Sequence, residues 1–168
     1  MSIKPVPHEA RSDWQIVGLG SYFGHDDEIG LALVQALSAE EAFEARCTLL
    51  EIADAATIAS VILEWQQPVI LVDAANMSLA PGEFLFFSDR DASVILKTGS
   101  VSTHGMGLAE GLGLARTLGF DQAACIFGVQ PFDLSPGAGN EVPFSFPACR
   151  IARGLFLIAL KCCSLPPL

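Results

Sequence analysis

Apolar runs of strand length alternate along the chain with longer segments whose apolar residues recur at helical spacing. The runs at 14–19, 47–52, 69–74 and 123–129 predict strands, and the patterns at 29–37, 55–63, 108–118 and 148–162 predict helices. The run at 69–74, VILVDA, is β-branched and apolar on both faces, which is typical of a parallel strand covered by helices. Alternation of this kind predicts an α/β fold with a parallel sheet.

Two further signals complete the predicted fold. Residues 82–87 (GEFLFF) predict an edge strand, because no helix-length segment separates them from the strand at 69–74. Gly119 predicts the end of the helix at 108–118. We therefore expect a doubly wound, mostly parallel twisted sheet of about five strands, three of them parallel at its centre, with helices on both faces. A single domain over 1–168 is expected, with 1–12 as a flexible tail and 130–146 as an irregular connection.

Composition narrows the classes of function. The chain has 168 residues, 51% of them hydrophobic and 17% charged, which is a globular composition and excludes intrinsic disorder. Nineteen acidic and nine basic residues give a net charge of −10, the wrong sign for a protein that binds nucleic acid or an anionic membrane surface. Neither a secretory signal nor a membrane span is visible, and the five cysteines form no CxxC pair. We expect a cytoplasmic protein, a monomer, with incidental thiols.

Ligands of doubly wound sheets bind beyond the carboxyl ends of the strands. The first predicted strand is followed by 18–28, GLGSYFGHDDE, the third ends at Asp73, and a polar loop, STHG at 102–105, precedes the helix at 108. A dinucleotide fingerprint fails there, because its sixth position is Phe23 and three acids occupy the place of a pyrophosphate. A serine hydrolase is excluded because the chain has no GxSxG motif.

A metal-facing site fits these strand ends better. Asp27, Asp73 and His104 supply two carboxylates and an imidazole, which suit borderline divalent ions such as nickel or zinc. Each residue also has a structural alternative: Asp27 as a helix cap, Asp73 as a paired buried acid, and His104 as a neutral surface residue. His25 is near enough in sequence to substitute as a ligand.

Three blocks of the sequence resemble the nickel-iron hydrogenase maturation endopeptidases. The run GLGSYFGHDDEIGLALVQAL is similar to the family's GxGNxxxxDDGxGxxxxxxL opening. VILVDAANMSLAPGEF resembles its third-strand segment, and STHGMGLAEGLGLARTLG resembles its S-x-H-x-x-G-L-A-[DE] segment. The blocks are in the family's order and cover most of the chain from 14 to 129. By this resemblance, Asp27, Asp73 and His104 fall on the family's three metal-contacting residues.

The resemblance implies an endopeptidase that removes the C-terminal extension of a hydrogenase large-subunit precursor after nickel insertion. Nickel would be supplied by the precursor, which is the expected partner, and no tightly bound resident metal is expected. The three residues would complete the coordination of that nickel and place the adjacent peptide bond where water attacks it. The general base is left open between a carboxylate and a metal-polarised water.

The chain departs from the family pattern near the expected site. Ser21 replaces an Asn, His25 and Glu28 replace small residues, and EIAD at 51–54 replaces Asp-Gly-Gly-Thr. Losing both glycines removes easy access to positive φ. Glu51, His25 and Ser21 are therefore candidate substrate-contacting residues, Glu51 with a longer carboxylate reach. Two alternatives stay open: a nickel-precursor binding or assembly protein that has lost turnover, and an unrelated metal-binding α/β domain.

The acidity of the chain is concentrated near this edge. Residues 24–54 contain a single basic residue, Arg46. The acids of the same stretch are Asp26, Asp27, Glu28, Glu40, Glu41, Glu44, Glu51 and Asp54. Part of this charge belongs to a solvated helix face, and part is suited to a cation that the substrate brings with it.

Overall fold

The computed structural model describes residues 14–20, 28–51, 54–96, 103–131 and 147–164, and for a few of these only the backbone. Its strands are β1 (Gln15–Leu19), β2 (Cys47–Leu50), β3 (Val69–Ala74), β4 (Phe84–Ser88) and β5 (Ala124–Val129). Its α-helices are α1 (Ile29–Ser38), α2 (Ala55–Trp65), the short α3 (Ala92–Ile95), α4 (Thr103–Thr117) and α5 (Pro147–Ser164). The tail predicted at 1–12 and most of the irregular connection at 130–146 lie outside the described residues.

The strands form one sheet in the order β2-β1-β3-β5-β4. The pairs β1–β2, β1–β3 and β3–β5 are parallel, and β4 runs antiparallel to β5 at one edge. Chain order reverses between β1 and β3, as it does at the switch point of doubly wound sheets. The predicted fold class is confirmed, as is the edge position of the strand expected at 82–87. The three strands at the centre, β1, β3 and β5, are parallel as predicted, and the edge strand β2 runs parallel to them.

Helices cover both faces of the sheet. On one face, apolar side chains of α2 and α4 pack against Val17, Leu71 and Ile126. On the other, α1 and α5 pack against Ile16, Ile70 and Phe127. The strand residues alternate between the two clusters because successive side chains of a strand point to opposite faces. β3 is buried on both faces over its whole length, as its sequence predicted.

Helix α4 ends as predicted but begins earlier than predicted. Gly119 has φ +104°, its N–H donates to the Arg116 carbonyl, and the Phe120 N–H donates to the Ala115 carbonyl, which is a Schellman cap. The expected start near 108 is wrong, since the helix begins at Thr103. Glycines at 105 and 107 and the absence of an apolar period make its first turn resemble a loop in the sequence. No helix of the described residues is long and apolar enough to cross a membrane.

Candidate active site at the carboxyl edge

Asp73 lies at the carboxyl edge of the sheet, meaning the edge where the parallel strands end. It is the fifth of the six residues of β3, and its register neighbour on β5 is Gly128. Its side chain is 2% exposed, and among the described residues it is the one charged side chain in the buried class. Burying a carboxylate is costly unless charge or hydrogen bonding compensates it. A buried acid at this edge is therefore the strongest single indication of a functional site.

Two glycines bring the start of α1 against the strand ends beside Asp73. A Cβ placed on Gly30 would lie 2.3 Å from both the Leu19 and Val72 carbonyl oxygens. A Cβ on Gly18 would lie 2.5 Å from the Gly30 carbonyl oxygen. Only residues without a side chain allow the helix and the strands to approach this closely. The contact fixes the first turn of α1 directly over the ends of β1 and β3.

The N-cap position of α1 is Glu28, whose side chain is exposed and makes no capping hydrogen bond. Asp27 precedes it in sequence and lies outside the described residues, as do Ser21 and His25. The chain that contains Asp27 therefore continues into the first turn of α1, which lies against the strand ends beside Val72.

His104 belongs to the first turn of α4 rather than to the loop expected at 102–105. His104 is helical because α4 begins at Thr103, earlier than expected. Only the backbone of His104 is described. Helix α4 packs on α2, where a Cβ on Gly111 would lie 2.8 Å from the Ile58 Cβ. Its last turn leads through Gly119 to the first residue of β5, at the amino edge of the sheet. The first turn of α4 therefore points toward the carboxyl edge.

In the segment at 51–54, which replaces Asp-Gly-Gly-Thr, Asp54 has a structural role as a helix cap. Asp54 is the N-cap of α2, and its Oδ1 accepts a hydrogen bond of 2.7 Å from the Thr57 N–H. This backbone hydrogen bond holds the pKa of the Asp54 carboxyl below its ordinary value. Glu51 is exposed in a bend after β2, which ends at Leu50 rather than at 52. An Asp before an apolar helical run is a cap signal that could have identified Asp54 from sequence.

Gln130 is a residue at this edge that sequence reasoning missed. Its side-chain Oε1 accepts hydrogen bonds from the Met77 N–H at 2.8 Å and the Leu79 N–H at 3.2 Å. It thereby connects the residue after β5 with the segment after β3. Nothing local in the sequence indicates this contact, because donor and acceptor lie more than 50 residues apart.

The three cysteines whose side chains the structure describes take no part in the site. Cys47, Cys125 and Cys162 carry no disulfide. Burial, reinforced by the nearby Cys162, raises the pKa of the Cys125 thiol to about 11. Cys125 is therefore protonated at neutral pH and is not a candidate nucleophile.

Among the residues whose side chains the structure describes, no three His, Cys, Asp or Glu residues are grouped so as to hold a metal ion. Of the predicted set, Asp73 and Glu51 are described with their side chains. Asp73 is buried at the carboxyl edge, whereas Glu51 is exposed after the edge strand β2.

Comparison with protein families gives a match over residues 31–143 to the model described as HycI, hydrogenase maturation protease. The chain belongs to the hydrogenase maturation protease family. The family assigns it to the peptidases, and the resemblance stated from three sequence blocks is confirmed. A comparison with curated protein sequences gives no match.

Solved structures of hydrogenase maturation proteases have the same fold. The maturating endopeptidase HybD from E. coli is 22% identical with a TM-score of 0.63, over 88% of this chain and 90% of that one. The [NiFe] hydrogenase maturation protease HybD from Thermococcus kodakarensis is 23% identical with a TM-score of 0.65, over 90% and 99%. An E. coli endopeptidase solved in solution is 20% identical with a TM-score of 0.69, over 88% and 91%.

Proposed function

We propose that this protein removes the C-terminal extension of a nickel-iron hydrogenase large-subunit precursor after nickel has been inserted. Membership of the hydrogenase maturation protease family supports the reaction class and the kind of substrate. The single observation that supports the position of the site is the burial of Asp73, 2% exposed, at the carboxyl edge of the sheet.

We further propose that Asp27, Asp73 and His104 contact the nickel that the precursor carries. The first turn of α1, which follows Asp27 in sequence, packs over the ends of β1 and β3 through Gly30. The first turn of α4, which includes His104, points toward the same edge. These directions support a meeting of two carboxylates and an imidazole around one cation, a donor mixture that suits nickel.

In the proposed reaction, the precursor's nickel is part of the substrate and acts as the mark that insertion is complete. Binding at the three residues places the adjacent peptide bond at the edge of the sheet, where a water molecule attacks the carbonyl carbon. The C–N bond then breaks, and the leaving amine takes a proton. A precursor without nickel lacks the cation that offsets the repulsion between two carboxylates, and so binds poorly.

The test is trimming of purified precursor, followed by mass spectrometry. We expect the nickel-loaded precursor to lose the mass of its extension and gain a new C-terminus, while the nickel-free precursor keeps its mass. Equal trimming of both forms would contradict nickel recognition.

A second candidate is a nickel-precursor binding protein without turnover, favoured by the altered segment at 51–54. Asp54 there serves as a helix cap, and Glu51 is exposed in a bend. This candidate predicts a stable complex with nickel-loaded precursor whose mass does not change. Size-exclusion chromatography of the same reaction mixtures separates the two outcomes.

A further inference from the structure

Gln130 binds both ends of the segment 77–83, which connects β3 to β4. Its side-chain oxygen accepts from the Met77 and Leu79 N–H groups at 2.8 and 3.2 Å. Its backbone N–H donates to the Glu83 carbonyl and its carbonyl accepts from the Gly82 N–H, both at 2.8 Å. One residue therefore forms four hydrogen bonds with a segment that lies far from it in sequence. These four hydrogen bonds restrict the conformations that segment 77–83 can adopt.

This segment returns over the sheet at the register of Asp73. The residue paired with Asp73 on β5 is Gly128, and a Cβ on Gly128 would lie 2.8 Å from the Met77 Sδ. The Met77 side chain thus occupies the space that the missing side chain of Gly128 leaves. Asp73 and Met77, the first residue of segment 77–83, therefore both lie beside Gly128.

The far end of the segment lines an open cleft of about 410 Å³. Leu79 and Glu83 belong to the segment, and the remaining lining residues are Phe84, Leu85 and Arg150. Leu85 pairs with Gly128, which pairs with Asp73, so the cleft begins two strands away from the acid. Two strand spacings are about 10 Å, a distance that roughly three extended residues span. The cleft and Asp73 therefore lie at the same edge of the sheet, two strands apart.

We propose that Gln130 is a positioning residue that holds segment 77–83 as a wall of the surface receiving the precursor polypeptide. The proposal rests on the proposed function, since it concerns the same substrate. Gln130 acts through segment 77–83, to which its side chain is hydrogen-bonded, and not on the reacting atoms. The position of Asp73 is set separately, by the pairing of β3 with β5. Its contribution is to precursor binding, and hence to KM and Kd.

The test compares Gln130→Leu, which removes the acceptor, with Gln130→Glu, which keeps an acceptor oxygen of similar reach. Loss of two hydrogen bonds is expected to weaken binding of the nickel-loaded precursor about tenfold, measured as Kd by calorimetry and as KM for trimming. We expect kcat to stay within about twofold and the Glu variant to recover most of the affinity. Hydrogen exchange should show faster exchange of the Met77 and Leu79 amides in the Leu variant only.

Arg116→Met is the matched control for a merely structural effect. It removes three hydrogen bonds of similar length at the opposite edge of the sheet. Its Kd and KM should equal those of the wild type even when its Tm falls as far as that of Gln130→Leu.

Unchanged Kd and KM in Gln130→Leu would overturn the positioning role, as would a Glu variant no better than the Leu variant. Failure of the proposed function is visible separately in the wild type. A wild type that binds precursor without trimming it refutes the protease while the Kd comparison still decides the role of Gln130. A wild type that neither binds nor trims refutes both.

Discussion

At each edge of the sheet a polar side chain braces the backbone through two hydrogen bonds, but these two braces differ in charge. At the amino edge, the Arg116 guanidinium donates to Asp89 at 2.8 Å and to the Phe120 and Gln122 carbonyls at 3.0 and 2.7 Å. At the carboxyl edge, Gln130 uses a neutral amide. The positive charge of the Arg116 brace is balanced by the Asp89 carboxylate, whereas the neutral Gln130 brace lies near the buried Asp73.

The difference indicates what each edge is built for. A guanidinium near Asp73 would favour the ionised carboxylate but would compete with an incoming cation for it. A neutral brace fixes the backbone without adding a competing charge. The neutral brace near Asp73 therefore supports the proposed binding of a cation at the carboxyl edge, whereas the Arg116 brace stabilises the amino edge.

The largest expected effect falls at the carboxyl edge. Asp73→Asn keeps the shape of the side chain and removes its charge, so we expect trimming of the nickel-loaded precursor to slow at least about 100-fold. The far-ultraviolet circular dichroism should be unchanged. A trimming rate within threefold of the wild type would remove Asp73 from the site.

A pair of glycines tests how closely the carboxyl edge is packed. Gly30→Ala places a Cβ 2.3 Å from two carbonyl oxygens and should cost roughly 1–3 kcal/mol in unfolding free energy. Gly113→Ala, where a Cβ meets nothing within 4 Å, should instead stabilise by about 1 kcal/mol. Urea titration of both variants measures the difference. Stabilisation by both substitutions would show that α1 does not contact the strand ends.

Arg116→Met tests the amino edge. Loss of the ion pair with Asp89 and of the two carbonyl contacts should lower the unfolding free energy by about 1–3 kcal/mol. Because this brace lies away from Asp73, the trimming rate at 25 °C should not change. A large loss of trimming activity in a folded Arg116 variant would contradict separate roles for the two edges.

The smallest effect concerns the cap of α2. The pKa of Asp54 is lowered by its hydrogen bond with Thr57, so its contribution is full above the ordinary value near 3.8 and is lost as the pH falls through the folded-state pKa. Asp54→Ala should therefore have a lower Tm than the wild type at pH 7, with the gap closing as the pH falls below the ordinary value near 3.8. A gap that is constant with pH would mean that the carboxylate does not cap the helix.

Prediction from sequence succeeded where a pattern is local. The strand at 69–74 was predicted with its observed bounds, because a β-branched run that is apolar on both faces is typical of a parallel strand covered by helices. The start of α4 was missed because its first turn lacks apolar periodicity. Asp73 could be proposed from its place at a strand end. Gln130 could not, since its partners are brought to it only by the pairing of β3, β5 and β4.

The coordination of the nickel itself tests the proposed site most sharply. Nickel K-edge X-ray absorption can be recorded on the loaded precursor alone and on samples frozen rapidly after mixing with the protein. Nickel coordination by Asp27, Asp73 and His104 predicts that nickel gains oxygen or nitrogen ligands on mixing with the wild type and gains fewer with Asp73→Asn. An identical nickel spectrum for the precursor alone and for its complex with the wild type would contradict it.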